Sequence, residues 1–222
     1  MFRHSPLPRI GALLALLAAL AFGVAACGDD ESTTAASEED VEPVAQIDPL
    51  TGDVTEVTFD AGFVDALTGL EVTPGPVGDA EISDDGVASF PITGGDVTYY
   101  DPAESVRPYV QGIINHEGSG LSLEAKGGPL VELTDFVIDP GTSELMGNVS
   151  VDGEEAASDV VLFDLDGTTL NPLATNPDGS ATLEGTTVKL NQGAADLLNE
   201  TFSIEDLKGG LVIGISSITV AG

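Results

Sequence analysis

Few side chains in this sequence could do chemistry, and they are thinly spread. Cys27 is the only cysteine of the chain. After it comes a single histidine, His116, in Asn115-His116-Glu117-Gly118, with three tyrosines upstream, Tyr99, Tyr100 and Tyr109. A lone thiol cannot close an internal disulfide and is free to act as a nucleophile. The imidazole and the phenols are the candidate ligand-binding groups. A third set is the carboxylate pair Asp164 and Asp166, at the end of the apolar run Val160-Val161-Leu162-Phe163. No His/Cys cluster has metal-ligand spacing, and no nucleophile elbow is present. No catalytic constellation is visible in the sequence, so an enzyme is not expected.

The run from Val160 to Leu170, with Asp164-Leu165-Asp166-Gly167-Thr168 inside it, resembles the first motif of haloacid dehalogenase-like phosphatases. The resemblance implies Asp164 as nucleophile and Asp166 as acid/base, with Mg²⁺ shared between carboxylates. That chemistry needs later Ser/Thr, Lys and acidic residues on further strands of a parallel sheet. The residues after Leu170 show no regular strand–helix alternation, and Thr169 stands where that family has an apolar residue. An apolar strand ending in an Asp-Gly turn explains the run without chemistry. Asp84, Asp85, Asp164, Asp166 and Asp178 are all turn carboxylates. None has EF-hand spacing, so turn capping is the expectation; a Ca²⁺ site, with Asp164 and Asp166 as candidates, is the alternative.

Residues 1–26 read as an export signal: Arg3 and Arg9 with no acid, then the apolar run Ile10 to Val24, then small residues. The run is shorter than the roughly 20 residues of a membrane-spanning helix. Val24-Ala25-Ala26-Cys27 resembles the lipobox of bacterial lipoproteins. It implies cleavage before Cys27, lipid on its thiol, and an exported protein held at a membrane. Residues 27–45 follow as an acidic linker without apolar period, too polar to fold and extended by self-repulsion.

All 38 acidic residues follow Cys27, against four basic ones, Arg107, Lys126, Lys189 and Lys208. That balance excludes nucleic acid as a partner, because phosphate binding needs a basic face. An anionic membrane surface would repel the domain, so the lipid must do the anchoring. An unknown protein or small molecule is left as the ligand.

Residues 46–222 read as a single β-rich domain, in a chain of ordinary globular composition with 27 Gly, 13 Pro and no Trp. Leu121, Leu123 and Ala125 alternate with polar residues, as do Leu145, Gly147, Val149 and Val151, and Leu211, Ile213 and Ile215. Turn signals fall at Asp84-Asp85-Gly86, Thr93-Gly94-Gly95-Asp96, Lys126-Gly127-Gly128-Pro129, Asp139-Pro140-Gly141, Asp152-Gly153, Asp166-Gly167 and Pro177-Asp178-Gly179. The spacing predicts an antiparallel β-sandwich or barrel-like domain. Two short helices interrupt it. Each follows a strand end and an Asx cap, Asp60 or Asn191, and presents Phe63, Ala66 and Leu67, or Ala194, Leu197 and Leu198, on one face.

The order of Phe90-Pro91-Ile92-Thr93-Gly94-Gly95, Gly112 to Leu121, Val131 to Asp139, Leu145 to Val149 and Thr187 to Leu190 resembles secreted surface proteins of bacteria. More distantly it is similar to the HtaA-type haem-binding domain of actinobacterial cell-envelope proteins. That resemblance implies a β-sandwich with two short helices, and haem as a possible ligand. His116 stands where such domains carry a His before glycines. Their iron-binding Tyr belongs to the first helix region, which here is Phe63-Val64-Asp65-Ala66-Leu67, without Tyr or Trp. Haem propionates would need Arg107 or Lys126 beside them in so acidic a domain. The expectation is that haem is not bound specifically and that His116 is a strand-end histidine bonded to its own turn.

Overall fold

A computed structural model describes residues 41–222. The lipobox, Cys27 and most of the linker lie outside them. Thirteen strands form one antiparallel sheet. They are β1 (Ala45–Ile47), β2 (Gly52–Phe59), β3 (Val72–Gly78), β4 (Glu81–Ile82), β5 (Val87–Pro91), β6 (Gly94–Tyr99), β7 (Val110–Ala125), β8 (Leu130–Asp139), β9 (Glu144–Val151), β10 (Glu154–Asp166), β11 (Ala174–Thr175), β12 (Ala181–Leu190) and β13 (Val212–Ala221). Two helices interrupt them, α1 (Ala61–Gly69) and α2 (Gln192–Phe202). The sheet runs β1-β6-β7-β8-β9-β10-β12-β13-β2-β5-β4, with β11 paired to β12 and β3 paired to the second half of β7. It curls into a half-barrel. Of the two architectures expected, the barrel-like one is adopted, as a single continuous sheet.

The two helices leave the same end of that sheet, on either side of β13. Both β2 and β12 pair antiparallel with β13 and therefore run in the same direction. Where each strand ends, an Asx side chain accepts a hydrogen bond from the second residue beyond it. Asp60 Oδ1 lies 2.7 Å from Gly62 N, and Asn191 Oδ1 lies 2.8 Å from Gly193 N. These caps satisfy N–H groups that the helix cannot. α1 buries Phe63 and Leu67; α2 buries Ala194, Ala195 and Leu198. Aromatic rings fill the core within the curl. Phe59 and Phe63 meet edge to face at 5.3 Å, and Phe136 does so with Phe90 at 5.2 Å and with Phe163 at 6.4 Å.

Alternation sets which side chains face inward, and two departures from it matter. Leu211, Ile213 and Ile215 do not share one buried face. A register shift between Val188 and Lys189 puts a bulge at the start of β13, so Ile213 is buried and Ile215 is exposed. Beyond the bulge the inward set is Ser216, Ile218 and Val220. One extra residue exchanges the faces of a strand. The second departure is Thr93-Gly94-Gly95-Asp96, expected as a turn. Gly94 and Gly95 instead open β6 and pair with Asn115 and Ile114. Gly95 has φ +118°, and a Cβ there would lie 1.9 Å from Ile113 O, so the glycine permits close strand approach.

Candidate functional site

Away from the helices the curl is hollow. A cavity of about 560 Å³ lies on the inner face of the sheet. Its wall is built by alternate residues of many strands, among them Ile47, Val97, Leu165, Leu183, Val188 and Ile218. Thr55 and Ser216 supply hydroxyls to it. A volume of roughly 300–1,000 Å³ with mostly apolar walls and few polar groups is typical of a small-molecule site.

The rim comes from the connections after β6, β8 and β10. Tyr99 and Tyr109 meet edge to face at 5.9 Å, with Arg107 and Pro108 beside them. Burial raises the Tyr99 pKa; a hydrogen bond with the Leu173 backbone partly offsets this, and the nearby Tyr109 and Asp101 raise it further. A phenol in such surroundings stays protonated. Arg107 is exposed, yet its guanidinium is pinned. Nη1 donates to Glu104 O at 2.7 Å and to Val106 O at 2.6 Å, and Nη2 donates to Pro102 O at 2.9 Å. These acceptors are neutral, and among the described residues Arg107 makes no ion pair.

The sequence candidates separate in space. Tyr99 and Tyr109 line the cavity together; Tyr100, just past the end of β6, does not. His116 is only 1% exposed and belongs to the packed core. It is not a strand-end residue bonded to its own turn, as the sequence suggested. It lies within β7, its Nδ1 3.2 Å from Phe136 O and its Nε2 2.8 Å from Thr55 Oγ1. The turn expected there is instead a register irregularity between His116 and Gly120, which leaves the β7 strand continuous on both sides. Burial lowers its pKa to about 4, against a smaller opposing effect of the Phe136 carbonyl. Thr55 is the link between the two regions, since it also lines the cavity.

Asp164 and Asp166 take no part in the cavity wall. Asp164 Oδ1 accepts from Asn191 Nδ2 at 2.8 Å. Asp166 Oδ2 lies 2.6 Å from Lys189 Nζ, and its Oδ1 accepts from Thr168 N at 2.9 Å. The Lys189 ammonium and the Thr168 donors hold the Asp166 carboxyl well below the usual range. Every strand pairing is antiparallel, whereas the phosphatase resemblance requires a parallel sheet. No group of three or more His, Cys, Asp or Glu capable of holding a metal occurs among the described residues. Lys126 is ion-paired with Glu71 at 2.7 Å on the exposed surface and does not line the cavity.

The fold is similar to that of the C-terminal domain of HtaA from Corynebacterium glutamicum. The match has a TM-score of 0.52 and 16% sequence identity, and covers 78% of this chain and 97% of that domain. A domain-swapped dimeric variant of the same HtaA domain matches with a TM-score of 0.43 at 17% identity, over 73% of this chain and 92% of that one. At such identities the likeness is one of fold. No protein-family profile and no curated protein sequence matches the chain.

The cavity itself was hidden in the sequence. Leu165, Leu183 and Ile218 read as ordinary inward residues of alternating strands. No local pattern distinguishes a side chain facing a packed core from one facing a hollow.

Proposed function

We propose that this chain is a non-catalytic binding module, exported and tethered to a membrane by lipid on Cys27, that takes an apolar small molecule into the hollow of its curled sheet. The observation that carries this reading is the cavity of about 560 Å³ with aliphatic walls. An apolar void of that size forfeits dispersion contacts on every wall, so filling it is favourable. The tether reading rests on the sequence before Cys27. Among the described residues no helix is long and apolar enough to cross a membrane. The carboxylates that could suggest catalysis are committed to capping and ion pairing.

Nile red, an uncharged apolar dye, tests the cavity. One-to-one saturable fluorescence enhancement is expected, lost in Ile218→Trp, which fills the hollow from its wall. A dye signal that does not saturate, or that survives Ile218→Trp in a folded protein, would overturn the reading.

A further inference from the structure

Resting on that cavity reading, we infer that the ligand is an acyl amphiphile with an anionic head, its hydrocarbon in the hollow and its head against Arg107. Two observations carry the inference. The first is charge placement. The chain has four cationic side chains after Cys27 against 38 acids. Two of the four are spent in ion pairs, Lys126 on Glu71 and Lys189 on Asp166. Arg107 instead stands at the mouth of the apolar hollow with only neutral acceptors.

The second is preorganisation. A guanidinium has five N–H donors. The three backbone carbonyls of Pro102, Glu104 and Val106 engage three of them and fix the group in place. The remaining two suit a carboxylate or phosphate oxygen pair. Asp101, in the same loop, accepts from Ala103 N at 2.8 Å and so braces it. In a strongly acidic domain an anion approaching elsewhere is repelled, so this fixed positive point orients the ligand head outward and tail inward. A neutral hydrocarbon would gain nothing from it.

Cis-parinaric acid and its methyl ester are titrated against the chain carrying Cys27→Ser, so that no acyl group of its own competes. The acid should bind one-to-one and about tenfold more tightly than the ester, a preference that shrinks as salt is raised. Arg107→Gln should abolish the preference, bringing acid and ester to equal affinity; Arg107→Lys should keep part of it. If Arg107→Gln unfolds, as a thermal scan would show, the acid-to-ester ratio of the unaltered side chain and its salt dependence decide the matter. Oleate and lysophosphatidylglycerol, used as competitors, separate a carboxylate head from a phosphate one. Displacement by either supports the inference, and displacement by neither overturns it. Equal binding of acid and ester also overturns it while leaving the cavity reading intact. Failure of both probes, with Nile red, overturns the two together.

Discussion

The Nε2 atom of His116 sits 2.8 Å from Thr55 Oγ1, across 61 residues of sequence. Phe136 O, on the other side of the ring, can only accept, so Nδ1 carries the proton and donates to it. Nε2 is then the acceptor, and the Thr55 hydroxyl donates. One neutral tautomer is fixed between two strands, and both ring nitrogens are engaged. The side chain joins β7 to β2 through the core and leaves no lone pair for a ligand.

That arrangement makes folding sensitive to acid. The folded-state pKa of His116 is lowered from 6.5 to about 4 by burial. As pH falls below 6.5 the unfolded chain takes up the proton first. Stability therefore rises with pH between about 4 and 6.5 and is fully present above that window. The contribution lost across it is about 3 kcal/mol. Urea denaturation at pH 7 and pH 4.5 should show this loss, and His116→Gln should show a smaller one. An unaltered pH slope in His116→Gln would mean that other groups are responsible.

Haem should not bind specifically. Haem iron can be held by an imidazole or a phenolate. The imidazole is engaged in the core, and α1 offers no Tyr or Trp. The cavity tyrosine Tyr99 holds its proton more tightly than usual. Hemin titration should give no sharp Soret band above the free-hemin background. A saturable one-to-one band that disappears in Tyr99→Phe or Tyr109→Phe would place haem in the hollow instead.

The two helix caps should differ in strength. Asp60 bonds only Gly62 N, and its removal as Asp60→Ala should cost about 1 kcal/mol. Asn191 caps Gly193 N and also donates to Asp164 Oδ1, tying α2 to β10. Asn191→Ala should cost roughly 2 kcal/mol, since it removes the cap and leaves a half-buried carboxylate oxygen without its donor. Chemical denaturation of the two variants measures the difference. Equal losses would show that the bond to Asp164 contributes nothing.

The lipid tether is tested by metabolic labelling with a palmitate analogue. Label should appear in the unaltered protein and vanish in Cys27→Ser. Label that persists in the variant would remove Cys27 from its proposed role.

The Asp164-Leu165-Asp166-Gly167-Thr168 run is expected to release no phosphate from p-nitrophenyl phosphate with Mg²⁺. Its second carboxylate is ion-paired with Lys189 on the neighbouring strand β12. Strong Mg²⁺-dependent turnover lost in Asp164→Asn would contradict that.

The sequence by itself determined the elements. Alternation at Leu121 and Leu123, and at Leu145 and Val149, named buried strand positions. Asp60 and Asn191 announced their helices, because an Asx cap is a local interaction between a side chain and a backbone two residues on. Tertiary structure alone decided the rest. The bulge at Ile213 inverted a face that periodicity had assigned, since register depends on the partner strand and not on the strand itself. His116 met Thr55 because the curl brings β7 and β2, far apart in the sheet order, face to face, and Tyr99 met Tyr109 across the β6–β7 connection that also carries Arg107. The hollow belongs to no segment of the chain. It exists because one end of the curl is filled by phenylalanines and helices while the other is lined by shorter aliphatic side chains that do not meet across it.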